Sequence, residues 1–209
     1  GCGGPVTVAI NSAGAYRSLG ARGIAVTFNG SLAQFTSANP LDGTWTAQVP
    51  NFTQAASARG VGFANIGGAD FAMSASSGVP GLRVSVDGGA PFPVTGAPAC
   101  VDVSPFELAG APAAIAVTSV GGLVLIPDVR GGTNSTATFP VGQTPRRAAM
   151  AGAAGLVSTA TGAALSPIPD PSNPGLNWVQ RAAAPPLDGR VHCLDANTCA
   201  ALLSNGQVW

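Results

Sequence analysis

A unit of about 44 residues recurs along this chain, the length at which radial β-repeats are built, and no other feature constrains the fold as tightly. Five short apolar segments, each running into a Gly-containing turn, begin at Ile24, Phe71, Ile115, Gly155 and Cys199. Their starts are 47, 44, 40 and 44 residues apart. A further short apolar stretch precedes each one: VTVAIN, GVGFANI, ACVDVS, RRAAMAG and RVHCLD. After each of the first four comes a second strand-like run, a Gly- or Pro-rich turn and an aromatic residue: Trp45, Phe92, Phe139 and Trp178.

Four strands in a unit of this length make one blade of a β-propeller. The expectation is an all-β chain of about five four-stranded blades, a number that follows from the period. The units fall at approximately 5–50, 59–96, 99–142, 146–184 and 190–209, and the last is incomplete. The four aromatics then belong to a repeated blade core. A β-sandwich, or tandem Ig-like domains, is the rival, since it also uses short strands with frequent turns but requires no such period. Helix competes poorly, because 29 Gly and 18 Pro interrupt every 3.6-residue apolar pattern. The one segment with helical propensity, RRAAMAGAAGLVS, is weakened by Gly152 and Gly155. The final unit stops at Trp209 inside its third strand. Either PVTVAIN from the N-terminus completes it, or the sequence is an excerpt of a longer polypeptide, which is the reading favoured here.

The stretch SVDGGAPF carries the clearest local chemistry. Asp87 can accept hydrogen bonds from nearby backbone N–H groups, and glycine permits positive φ in a turn. NPLDGTW, PDVRGGTNSTATF and PDPSNPGLNW occupy the same place in their units and are degenerate relatives of it. Ser85, Asp87, Gly89 and Phe92 resemble the Asp-box of BNR-repeat proteins, with Phe where Trp is usual. VHCLDANTCAALLSNGQVW is similar to the pattern in bacterial and plastid propellers of the photosystem II assembly factor kind. The resemblance covers nearly the whole chain as architecture, and it implies a fold; function has to be argued from the site.

Four cysteines, Cys2, Cys100, Cys193 and Cys199, form no CxxC pair, so a structural metal site is not expected. CLDANTC reads as two strands joined by a turn with Cys193 and Cys199 facing across it. A disulfide there would place the protein in an oxidising compartment. Whether Cys2 and Cys100 pair stays open. Three N-x-[ST] sequons, at Asn29, Asn51 and Asn134, agree with secretion and glycosylation. No apolar run reaches the roughly 18 residues of a membrane span.

Charge is sparse, at 9% of residues, and balanced; every basic residue is Arg. Nucleic acid and anionic membranes call for clustered cations, so neither is expected as a partner. Glycoside hydrolysis needs two carboxylates. Asp42, Asp87, Asp128 and Asp170 belong to the box turns, and Glu107, the only Glu, reads as a solvated loop acid. The sialidases that share Asp-boxes pair a Tyr nucleophile with three Arg. Tyr16, Arg17, Arg22, Arg59 and Arg83 are present, but the Arg-Ile-Pro motif is missing. His192 is the sole His, no G-x-S-x-G occurs, and the Gly-rich runs lack a phosphate-loop Lys. No cofactor is implied. The expectation is a non-catalytic extracellular glycoprotein, a building block of a cell-surface matrix or filament whose partners are copies of itself or other extracellular proteins. Carbohydrate binding or hydrolysis is the first alternative, and an assembly factor gripping a protein client the second.

Overall fold

The computed structural model describes residues 60–131, 142–152, 154–167, 177–181, 191–195, 197–203 and 206–209 in full, and the backbone alone of 13–19, 22–27, 31–36, 46–53, 58–59 and 135–136. All regular structure in these residues is β. The first sheet comprises β1 (Ala13–Leu19), β2 (Arg22–Thr27), β3 (Ser31–Thr36) and β4 (Thr46–Thr53). The second comprises β5 (Ala58–Ile66), β6 (Ala69–Ser76), β7 (Leu82–Val86) and β8 (Phe92–Pro93). β9 (Cys100–Leu108), β10 (Ala111–Thr118), β11 (Leu123–Ile126) and β12 (Ser135–Thr136) make the third. The fourth is β13 (Pro145–Ala151), β14 (Ala154–Thr159), β15 (Ala164–Pro167) and β16 (Trp178–Gln180). β17 (Val191–Asp195) and β18 (Thr198–Ala201) form the fifth. A third segment joins β18 through the Leu202–Val208 bridge and reciprocal 2.9 Å bonds between Ala201 and Trp209.

Every sheet is antiparallel and ordered as the chain runs. The faces then stack in series. The second and third sheets enclose one core, in which Phe71, Met73, Leu82 and Val84 meet Val103, Ala114, Ala116 and Ile126. The opposite face of the third sheet places Ile115, Val117 and Leu123 against Val157, Leu165 and Trp178 of the fourth. The far face of the fourth, Ala149, Leu156 and Ala164, packs on Val191, Cys193 and Ala201 of the fifth. β10 shows why its sequence, APAAIAVT, is apolar throughout: alternate side chains feed two different cores, so neither face is solvated. Two facing sheets, the sandwich alternative, would give one shared core. Serial stacking with the first strands in mutual contact is a β-propeller.

Crowding around the axis explains the small residues of the first strands. A Cβ on Gly60 would lie 2.7 Å from Asp102 Oδ1 and 2.8 Å from the Val101 carbonyl; one on Gly62 would collide with the Pro105 ring. Pro105 is tolerated in β9 because β9 is an edge strand. Side chains of β9 cap the neighbouring β13: Ala148 N–H donates to Asp102 Oδ2 at 3.0 Å, and Met150 N–H to Ser104 Oγ at 2.9 Å.

One expectation changes and one holds. The leading strand of the first sheet is AGAYRSL, paired Leu19 to Arg22, rather than VTVAIN, which lies outside the described residues. RRAAMAGAAGLVS forms the β13–β14 hairpin, with Gly152 at φ +58° in its turn.

Candidate functional site

The SVDGGAPF turn is tied at both ends. Gly89 N–H donates to the Val86 carbonyl at 2.8 Å, closing a turn whose central residues Asp87 and Gly88 have φ of +49° and +75°. Positive φ at both positions is the type I′ signature. Ser85 Oγ donates to the Gly89 carbonyl at 2.7 Å. Asp87 then reaches across to the β5–β6 hairpin. Its Oδ1 accepts from Asp70 N–H at 2.7 Å, while its own N–H donates to the Asp70 carbonyl at 2.9 Å. The positive φ expected of glycine thus falls on Asp87 and Gly88; Gly89 instead sits close against the Val86 carbonyl, where a Cβ would be 3.0 Å away.

Phe92 and Trp178 both lie in the fourth strand of their sheets and pack on neighbouring cores. Trp45, Phe139, Asn29 and Asn134 lie outside the described residues, and of Asn51 only its backbone in β4 is described. Asp128 holds a local turn, accepting from Arg130 N–H at 2.9 Å and from the Arg130 guanidinium at 3.1 Å, which lowers its pKa below the ordinary carboxylate value.

Cys193 and Cys199 are cross-strand partners joined by a disulfide, with Cα atoms 3.9 Å apart. Cys100 is a buried free thiol donating to the Pro98 carbonyl at 3.0 Å, and burial pushes its pKa up to about 12. Cys2 is outside the described residues. Each described aspartate is engaged: Asp70 accepts from Asn65, Asp87 from Asp70 N–H, Asp102 from Ala148 N–H, Asp128 from Arg130 and Asp195 from Asn197 N–H. Of the Tyr and Arg set, only Arg83 has a described side chain, and it lies in β7 of the second sheet.

Two features remain as candidate sites. One is a cavity of about 380 Å³ between the first strands β5, β9, β13 and β17. Glu107 lines it, in strand β9 rather than in the loop its sequence suggested, together with Phe63, Asn65, His192 and Leu194. Sequence reasoning missed this cavity, because its lining is assembled from four first strands far apart in sequence. The other is the outer face of the fifth sheet. Leu194, Leu202 and Val208 are 69%, 46% and 74% exposed. Leu202 opposes Val208, and Trp209 beside them is also exposed. Among the described residues no His/Cys/Asp/Glu group is placed to hold a metal, and no helix is long and apolar enough to cross a membrane.

No protein-family model matches the sequence, and no curated protein matches it. Solved structures do. YCF48 from Cyanidioschyzon merolae aligns with a TM-score of 0.58 at 12% identity, over 92% of this chain and 67% of that one. YCF48 bound to D1 peptide aligns at 0.55 and 15%, over 89% and 59% of the two chains. The Bacteroides ovatus xyloglucan-locus protein GH43B gives 0.54 at 13%, over 92% and 49%. A chain of the COPII outer coat vertex gives 0.65 at 9%, over 90% and 55%. This chain spans about half to two thirds of those proteins. At such identities the likeness establishes the propeller fold alone.

Proposed function

We propose that this propeller is a non-catalytic extracellular interaction module whose partner is another copy of itself, a building block of a surface matrix or filament. The observation that carries the reading is the apolar outer face of the fifth sheet. Leu202 and Val208 pair across this face and are both exposed. Contiguous exposed apolar surface of this kind marks interaction sites. Stacking this face on a different face of the next copy is a heterologous contact. Such contacts close into rings or extend into filaments, according to the rotation they impose. The disulfide suits an oxidising compartment. The engaged aspartates suit a scaffold, because a glycosidase needs a pair of carboxylates available to substrate.

Sedimentation velocity over a rising concentration series, with negative-stain imaging, tests the reading. The wild-type chain should form rods or larger particles. Leu202→Asp with Val208→Asp should leave single discs with an unchanged circular-dichroism spectrum. A wild type that stays monomeric throughout the series refutes self-assembly, and turnover of an aryl glycoside refutes the non-catalytic assignment.

A further inference from the structure

We propose that the axial cavity binds a lysine- or arginine-type side chain of a partner polypeptide, a cationic head on an aliphatic stem. The cavity shares Leu194 with the outer face of the fifth sheet, but the inference rests on Glu107 and Asn65 and does not depend on self-assembly.

The hairpin registers identify equivalent positions around the axis. The closing pairs of the first hairpins are Ile66–Ala69, Leu108–Ala111, Ala151–Ala154 and Asp195–Thr198. The residue before each first-strand member of those pairs is Asn65, Glu107, Met150 and Leu194, and all four line the cavity. The ring is therefore two-sided. The second and third sheets contribute polar groups, and the fourth and fifth contribute apolar ones.

At these ring positions both polar groups can accept, and the His192 imidazole of the fifth sheet also lines the cavity. Among the described lining residues Glu107 is the only carboxylate and none is Arg. Asn65 commits its amide nitrogen to Asp70 Oδ1 at 2.7 Å, which leaves its carbonyl oxygen to accept. Donors on the facing β13 edge are consumed within the protein, since Ala148 and Met150 N–H are capped by Asp102 and Ser104. An anionic ligand would meet the Glu107 carboxylate with no guanidinium among the described lining residues to offset it. A cation meets two acceptors, and its methylene stem lies along Met150 and Leu194, the division that long basic side chains make between stem and head. Phe63 adds an aromatic surface, to which cations are attracted. At about 380 Å³ the cavity falls at the lower end of the range for small-ligand pockets, about 300–1,000 Å³, which suits one side chain better than a folded ligand.

The test titrates the Val208→Asp chain with acetyl-Gly-Lys-Gly-amide and with its norleucine analogue, following backbone amide shifts at about pH 8, above the ordinary imidazole range. The lysine peptide should shift the amides of Phe63, Asn65, Glu107 and Ala151 saturably. It should bind about tenfold more tightly than the norleucine peptide, a step of one decade in Kd. Glu107→Gln should remove that advantage, while Asp128→Asn, which alters a turn carboxylate outside the cavity lining, should leave it intact. Equal binding of the two peptides overturns the proposal, as do shifts spread evenly over surface carboxylates or an unchanged lysine affinity in Glu107→Gln. The two-peptide comparison in the Glu107 chain decides the matter even if the Gln variant folds poorly.

Discussion

Replacing Asp87 by three different residues separates the two things this side chain does. Its Oδ1 accepts from Asp70 N–H at 2.7 Å, and Asp70 is buried, so truncation strands a donor away from water. A hydrogen bond to a charged acceptor contributes about 1.5–3 kcal/mol. Asp87 also sits at φ +49°, where an ordinary L-residue costs about 1–2 kcal/mol and Asn or Asp less. Asp itself already bears part of the backbone cost, so Asp87→Ala should destabilise by about 2–4 kcal/mol. Glycine relieves the backbone term and leaves the hydrogen-bond loss, about 1.5–3 kcal/mol. Asparagine keeps a carbonyl acceptor and tolerates the left-handed region, so Asp87→Asn should cost under about 1 kcal/mol. Urea denaturation measures the series, and amide exchange at Asp70 reports the stranded donor directly. The alanine variant should also melt about 5–15 °C below wild type, given roughly 2–4 °C per kcal/mol for a chain of this size. If alanine and asparagine prove equal, or alanine falls within about 0.5 kcal/mol of wild type as an ordinary surface change would, the cross-hairpin tie is not what holds the turn.

Gly81→Ala should destabilise more than any other glycine substitution among the described residues, because its Cβ would overlap the backbone carbonyl of Pro98; loss of the folded baseline in circular dichroism is the readout. Removing the six-residue Cys193–Cys199 link by serine substitution should cost about 2.4 kcal/mol by loop-closure entropy. Its effect should be concentrated in β17 and β18, as faster amide exchange there and little change in β10. In a Cys2→Ser background, Cys100 should resist iodoacetamide in the folded protein and react on unfolding. Its thiol is raised from 9.0 to about 12, so stability should be unaffected below pH 9.0 and fall as pH rises from there toward 12. Asp128 has the opposite sign. Its lowered pKa adds stability above the ordinary carboxylate range, and that contribution is lost as pH falls through the folded value; an acid titration comparing Asp128→Asn with wild type reads it as a loss of slope.

The fold was readable because the period and the turns are local signals. Cys193 and Cys199 sit either side of a short turn, and strand geometry alone places them opposite each other. The glycine role was misassigned by one residue, since the turn closes at Gly89 and gives positive φ to Asp87 and Gly88. The first strand was missed for a different reason. VTVAIN has the stronger β-propensity, but AGAYRSL is the segment that pairs with β2 in register. Glu107 looked like a loop acid because Pro105 and Gly110 flank it. On an edge strand, however, proline forfeits no ladder bond, and β9 runs on to Leu108.

The cavity was hidden by the same repetition that revealed the propeller. Residues facing the sheet-to-sheet cores must be small or apolar in every unit, so they recur and announce the architecture. The position before each closing pair is exposed in the second, third and fifth sheets and carries no such demand there; in the fourth it is Met150, which belongs to the core. It reads Asn65, Glu107, Met150 and Leu194 in successive units, and this change of chemistry from sheet to sheet is what gives the cavity a polar and an apolar side. Stacking energy scales with the buried apolar faces and is indifferent to what stands at the rim of the axis. Specificity in such a fold should therefore be sought where the units disagree, and exchanging Glu107 and the exposed Leu194 makes that testable. Glu107→Leu with Leu194→Glu retains one carboxylate on the ring but moves it to the apolar side. If recognition depends on the two-sided arrangement, the lysine peptide should bind this double variant no better than the norleucine peptide; if a single negative charge anywhere on the ring suffices, its preference should survive the exchange.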